Sequence, residues 1–171
     1  MEINPIIQRL IRGNGAFIED HYATVERHML AEQGQEPQIL IITCSDSRVI
    51  PEKIFSLSLG EALIIRNAGA RITEDVLKDV EFFTSEFESL ELVVLMGHSK
   101  CGYYGHAVAK GIDVEPTLLE SLRNEMSEPE VVDHLARMEV VEGVQKLRKV
   151  VPSRINLHGA FYNIESGIVD F

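Results

Sequence analysis

An α/β fold with a mainly parallel sheet is predicted for this chain. Three observations predict it. Short apolar runs at 38–43, 62–65 and 92–96 alternate with longer amphipathic segments. The runs are rich in β-branched residues and lack in–out alternation, so they read as strands buried on both faces. The chain has 171 residues, 45% of them hydrophobic, enough for one packed core.

Each element follows from a local signal. Residues 7–31 carry Ile7, Leu10, Ile11, Ile18, Tyr22, Val25 and Leu30. This pattern predicts an amphipathic helical arm within residues 1–33, broken near Gly13-Asn14-Gly15. Gln33-Gly34-Gln35-Glu36-Pro37 is a loop, and 38–43 is the first strand. A short helix is expected over 51–57, with Pro51 in its first turn. The second strand is 62–65. Thr73 is a fitting N-cap for a helix over 73–87, whose inner face carries Val76, Val80, Phe83 and Phe87. The third strand, 92–96, leads into a helix over 102–110. Leu118, Leu119 and Leu122 hint at another helix within 111–129. Residues 129–150 form a long helix with the stripe Val132, Leu135, Val140, Val144 and Leu147. Two last strands, 155–157 and 162–169, are expected around His158-Gly159-Ala160. The whole, residues 1–171, reads as a single domain with the arm at its front.

Composition narrows the function. The formal net charge is −11. There is no basic block, so neither nucleic acid nor an anionic membrane surface is an expected partner. No apolar run approaches the ~20 residues of a membrane span. Met1-Glu2-Ile3-Asn4-Pro5 has no basic region leading into an apolar stretch, so a secretory leader is not expected and a cytoplasmic location is. Metal binding or free thiols are then preferred over a disulfide for the two cysteines.

Those cysteines carry the chemistry. Cys44 closes the first strand and opens Cys44-Ser45-Asp46-Ser47-Arg48. Cys101 lies in Gly97-His98-Ser99-Lys100-Cys101-Gly102, just after the third strand. Two thiolates and an imidazole are three zinc ligands, and a catalytic zinc keeps a fourth position open. In parallel sheets, sites form beyond the carboxyl ends of strands at a topological switch point. If the first and third strands are neighbours, Cys44, His98 and Cys101 converge there. Two thiolates neutralise the zinc charge and acidify a bound water less than histidines do, so a helper is required. Asp46 answers that need, with Arg48 as a bidentate partner that keeps it ionised and oriented. Swinging from Arg48 onto the metal, Asp46 would close the fourth position. Each signal alone has a plainer reading: a buried cysteine as a small core residue, Asp46–Arg48 as a loop ion pair. His21, His28, His106, His134 and His158 stand as candidate fourth ligands of a purely structural zinc. Arg66-Asn67-Ala68-Gly69 reads either as a helix-entry turn, relieved by Gly69, or as a wall beside the metal.

These segments, with Gly60-Glu61-Ala62 between them, resemble the β-class carbonic anhydrases over nearly the whole chain. The resemblance implies a sheet of order 2-1-3-4, extended by the last strand. It implies Zn2+ held by Cys44, His98 and Cys101, with Asp46 and Arg48 as the catalytic dyad. The implied reaction is hydration of CO2 to bicarbonate and a proton by zinc-bound hydroxide. Gln35, Leu63, Ala68 and Gly102 would line the substrate pocket. Plant-type members often carry phenylalanine where this chain has Leu63. Members with a regulatory bicarbonate site use a tryptophan there, and this chain has none, so that regulation is not expected. Family members are dimers or larger, so a homodimer or homotetramer is expected, with the arm embracing the partner. Carbonyl sulfide and carbon disulfide hydrolases share the scaffold, the ligands and the dyad, so COS or CS2 are alternative substrates. A zinc-stabilised scaffold without catalysis is the reading from another class.

Overall fold

The structure, a computed structural model, describes residues 4–171, except for the side chains of residues 21–23. Met1, Glu2 and Ile3 and the side chains of His21 and Tyr22, which entered the reading above, lie outside the described residues.

Five strands form one sheet: β1 (Ile39–Cys44), β2 (Ala62–Asn67), β3 (Leu92–His98), β4 (Asn156–Tyr162) and β5 (Val169–Asp170). Their order is β2-β1-β3-β4-β5. The first four run parallel, and β5 joins β4 antiparallel. The α/β class and the strand order match expectation. The helices are α1 (Pro5–Glu19), α2 (His21–Gln33), α3 (Pro51–Ile54), α4 (Glu74–Glu86), α5 (Gly102–Lys110), α6 (Pro116–Glu125) and α7 (Glu128–Leu147).

Strand alternation divides the core. Leu40, Ile42, Val93 and Leu95 face one side, where they meet Val76 and Val80 of α4, Tyr104 and Val108 of α5, and Leu135 and Leu147 of α7. Ile41, Val94 and Met96 face the other side with Val49 and Ala160. That second cluster holds few fully buried residues. Ile54, Phe55, Leu57, Ile64 and Val169 cover it only in part.

Three details differ from the sequence reading. The arm breaks at Asp20, not at Gly13-Asn14-Gly15, and α1 runs through both glycines. An isolated glycine weakens a helix by about 1 kcal/mol without ending it. The extended backbone of Asp20 lets α2 fold back against α1. There the Thr24 hydroxyl donates to the Ile18 carbonyl at 2.9 Å, and the Arg27 guanidinium lies 5.3 Å from the Phe17 ring centroid. Second, β4 continues through His158-Gly159-Ala160 as one strand. A Cβ at Gly159 would meet Val140 at 2.8 Å and Val144 at 3.2 Å, so glycine there admits α7 rather than ending the strand. Third, most of 162–169 is a turn. Asn163 Oδ1 accepts from the Glu165 and Ser166 amides at 2.9 and 3.0 Å, an Asx turn that confines β5 to two residues.

The close seating of α7 positions the site. At Gly97, one residue before His98, a Cβ would meet Val140 at 2.7 Å. Gly143 of α7 likewise sits where a side chain would strike Leu95 and Ile72. Ser127 and Glu130 form a capping box that starts α7. The first turns of α7 thereby lie over the loop that follows β3.

Candidate metal centre

Cys44 ends β1 and His98 ends β3, and the parallel register pairs Thr43 with Met96. Both side chains therefore leave the sheet at the same edge. The Thr43 hydroxyl donates to the Met96 carbonyl at 2.9 Å and ties the two ends together. Cys101 is the N-cap of α5. The two Sγ atoms lie 3.9 Å apart. With a ring nitrogen of His98 they form a group whose ligand atoms all lie within 4.8 Å of one another. All three residues are buried, at 5%, 1% and 2% exposure for Cys44, His98 and Cys101.

The donors fit a metal ion of zinc type. A tetrahedral zinc with Zn–S near 2.3 Å sets its two sulfurs about 3.8 Å apart, and the observed separation is close to that. His98 Nδ1 lies 2.9 Å from the Ser99 carbonyl oxygen, which can only accept, so Nδ1 carries the proton. His98 Nε2 then presents a lone pair. Among the described residues it is a buried side-chain polar atom with no hydrogen-bond partner. Buried polar atoms are rarely left so, and an unsatisfied one points to a missing ion or ligand.

The two sulfurs lie within hydrogen-bonding reach of each other. The hydrogen bond from Cys101 pulls the Cys44 thiol down, against desolvation, with help from His98 and the Gly69 amide. The same contact, followed by burial, pushes Cys101 up, while the amides of Tyr104 and Tyr103 at the start of α5 act the other way. A divalent metal binding there would require both thiols as thiolates and would release the remaining thiol proton.

Asp46 stands beside Cys44 in the loop after β1. Arg48 Nε and its backbone amide each donate to Asp46 Oδ1 at 2.9 Å, and Arg48 Nη2 donates to Oδ2 at 2.7 Å. The Arg48 hydrogen bond holds the Asp46 carboxyl well below the usual carboxylate range, against a smaller desolvation cost. Asp46 thus rests on Arg48. The pair is partly open, with the Asp46 side chain 14% and that of Arg48 49% exposed. Arg48 Nη2 also donates to the Lys100 carbonyl at 3.0 Å, linking the two loops.

Other residues shape the site in ways that the sequence signalled only in part. Arg66 donates to the carbonyls of Cys44, Asp46 and Val49 at 3.2, 2.8 and 2.6 Å and so fixes the Cys44 loop from β2. A cation closing an otherwise apolar strand was the available signal. The Gly69 amide donates to Cys44 Sγ at 3.3 Å, from a backbone with φ +80°. The buried Tyr104 hydroxyl donates to the Gly69 carbonyl at 3.2 Å, and burial pushes that hydroxyl up, so it stays a donor. Of the two readings of Arg66-Asn67-Ala68-Gly69, the one beside Cys44 fits, through the Arg66 guanidinium and the Gly69 amide.

The four expected pocket residues are spread more widely. Ala68 follows β2 next to Gly69, and Gly102 follows Cys101; both are exposed. Leu63 pairs with Leu40, in the first half of β2, while it is Asn67 that pairs with Cys44. Gln35 is exposed in the loop before β1, so the whole six-residue strand separates it from Cys44. At about 3.3 Å per residue that is roughly 20 Å, so one protomer does not bring Gln35 to the site. His28, His106, His134 and His158 stay outside the cluster, and the side chain of His21 lies outside the described residues.

A parallel α/β sheet with two cysteines and a histidine gathered at its carboxyl edge defines a metal-binding α/β protein. Residues 39–169 match the family model described as carbonic anhydrase. A carbonic anhydrase of Pseudomonas aeruginosa is 33% identical over 162 residues, covering 80% of this chain and 73% of that protein. The β-carbonic anhydrase CafA of Aspergillus fumigatus aligns with a TM-score of 0.79 and 27% identity, over 98% of this chain and 90% of that one. The fold also extends to an apo carbon disulfide hydrolase, with a TM-score of 0.56 and 20% identity, over 91% of this chain and 90% of that one. The chain belongs to the β-class carbonic anhydrase family.

Gly69 gives a direct check on this geometry. A Cβ there would lie 2.7 Å from Tyr103 Cδ1, on a backbone that disfavours side chains. Gly69→Ala should lower unfolding stability by about 1–3 kcal/mol, measured by urea denaturation. It should also weaken metal uptake, because the amide facing Cys44 is displaced.

Proposed function

We propose that this chain reversibly hydrates CO2 to bicarbonate and a proton, using Zn2+ held by Cys44, His98 and Cys101. The convergence of these three ligand atoms on one buried point carries the reading. Family membership supports CO2 as the substrate. When bound, zinc would supply Lewis acidity and lower the pKa of a water at its open position.

The chain's own residues do the rest. Asp46 Oδ1 already accepts two hydrogen bonds from Arg48, and Oδ2 accepts one. A carboxylate oxygen has two lone pairs, so Oδ2 keeps one free. Ionised Asp46 can therefore accept an O–H from the attacking water at Oδ2 and turn an oxygen lone pair toward the carbon of CO2. It does not compete as a base, because Arg48 keeps its basicity low. Arg48 fixes the plane of that carboxylate and, through Lys100, its distance from the ligand loop.

Self-association accompanies this function. Ile6, Ile7, Leu10, Ile11 and Ile18 of α1 are each at least half exposed, and the second face of the sheet is thinly covered. An apolar surface of that extent marks an interface between proteins. We assign its cover to a second copy, in a homodimer or homotetramer. No helix among the described residues is long and apolar enough to cross a membrane. Two thiolate ligands also favour a reducing compartment, the cytoplasm, as the place of work.

Activity tests the catalytic reading. The purified protein should hydrate CO2, and Asp46→Ala should lower kcat/KM by about 100-fold or more while zinc content stays near one per chain. COS and CS2 are linear electrophiles open to the same attack, so the three gases are compared side by side with hydrogen sulfide detection. Faster turnover of COS or CS2 than of CO2 would assign the chain to sulfur-gas hydrolysis instead. Light scattering should return two or four times the chain mass, and a monomer would contradict the assigned interface.

A further inference from the structure

The loop between His98 and Cys101 carries a strained residue. Lys100 adopts φ +54°, a left-handed conformation that costs a non-glycine residue about 1–2 kcal/mol. Such strain persists only where surrounding contacts over-determine the backbone. Here each contact is identifiable. The Lys100 amide donates to Asp133 Oδ1 of α7 at 2.6 Å. The Ser99 amide donates to the Tyr162 carbonyl at 3.0 Å, and the Ser99 hydroxyl accepts from the Ile164 amide at 3.0 Å. The Lys100 carbonyl accepts from Arg48.

The Lys100 amide belongs to the same peptide group as the Ser99 carbonyl. That carbonyl accepts from His98 Nδ1 at 2.9 Å. A continuous chain of hydrogen bonds therefore runs from the Asp133 carboxylate, through one peptide group, to the imidazole, and ends at the unpartnered Nε2. A metal-ligating histidine commonly donates its other N–H to a carboxylate or a carbonyl, which fixes the tautomer and raises ligand basicity. In this chain the two arrangements are joined in series. A carboxylate on the amide side draws electron density toward the carbonyl oxygen and strengthens the bond on the other side. The next peptide group, between Lys100 and Cys101, presents its carbonyl to Arg48. Lys100's left-handed turn lets one residue serve the histidine on one side and the dyad on the other.

We propose that Asp133 is a positioning residue of the metal centre: through the Ser99–Lys100 peptide group it holds His98 as the Nδ1–H tautomer with Nε2 free to bind the metal. This rests on the reading that Cys44, His98 and Cys101 hold zinc. Asp133 touches neither substrate nor metal. Its reach comes from the close seating of α7 on β3 at Gly97. The Lys100 side chain is not part of the device. Its ammonium pairs with Glu165 at 2.6 Å in an exposed contact.

The test uses the full-length chain in four forms: wild type, Asp133→Ala, Asp133→Asn and Glu165→Gln. Zinc affinity is measured by competition with a chromogenic chelator. Asp133→Ala should bind zinc roughly 10- to 100-fold more weakly. Asp133→Asn, with the same shape and no charge, should fall between it and the wild type, because a charge-assisted bond is the stronger one. Glu165→Gln should match the wild type. In the zinc-loaded protein, the His98 Nδ1–H signal in a 1H–15N spectrum should exchange slowly in the wild type and faster in both Asp133 variants, with thermal unfolding of Asp133→Asn unchanged. Wild-type affinity and wild-type exchange in Asp133→Asn would overturn the inference, even if Asp133→Ala fails to fold. A wild-type chain that takes up zinc without hydrating CO2 would overturn the proposed reaction alone. A wild-type chain that takes up no zinc would overturn both.

Discussion

The parallel pairing of β1 with β3 is the constraint on which the site depends. Because Thr43 sits opposite Met96, both strands end at the same edge, one with Cys44 and the other with His98. A one-residue slip would turn every side chain of a strand to the opposite face. Cys44 would then leave the face it shares with Leu40 and Ile42 and could not meet Cys101. Register is set by the buried apolar runs on both faces, so the core that stabilises the sheet also sets the distance between Cys44 and His98. The pairing with β2 adds Gly69, whose amide reaches Cys44 from the other side.

Around that edge, two short loops hold the polar chemistry, and each is fixed by contacts from outside itself. Arg66 and the Asp46–Arg48 pair secure the loop after β1. Asp133, Ser99 and the C-terminal turn secure the loop after β3. Arg48 joins the two by donating to Lys100. A site held in this way needs little rearrangement when a metal or a substrate arrives. This is the physical content of preorganisation. The left-handed backbone beside the two cysteines is strained at Lys100 and relieved by glycine at Gly69.

Much of this was legible in the sequence, for physical reasons. Buried parallel strands are continuous apolar runs, so 38–43, 62–65 and 92–96 stood out. Chemistry gathers just beyond such strands, which exposed Cys44, His98 and Cys101. Asp46 and Arg48 were visible because two residues of spacing let them pair locally. Asp133 was not visible. It lies 33 residues from Lys100, on a helix whose pattern is an ordinary amphipathic one, and its partner is a backbone amide that carries no sequence signature. The break in the arm was misplaced because glycine marks where a helix can end, and the backbone instead turns extended at Asp20. Gly159 misled for the opposite reason: it signalled a turn and in fact makes room for Val140 and Val144. Gln35 entered by resemblance, and the length of β1 keeps it from the site of its own protomer.

The proposed function rests on Cys44, His98 and Cys101 binding one zinc ion per chain as three protein ligands. X-ray absorption spectroscopy of the purified, zinc-loaded protein tests it most directly. Two sulfur scatterers near 2.3 Å and a light-atom shell near 2.0–2.1 Å are expected, with Cys101→Ser reducing the sulfur count to one. A zinc shell without sulfur, or one unchanged by Cys101→Ser, would contradict it.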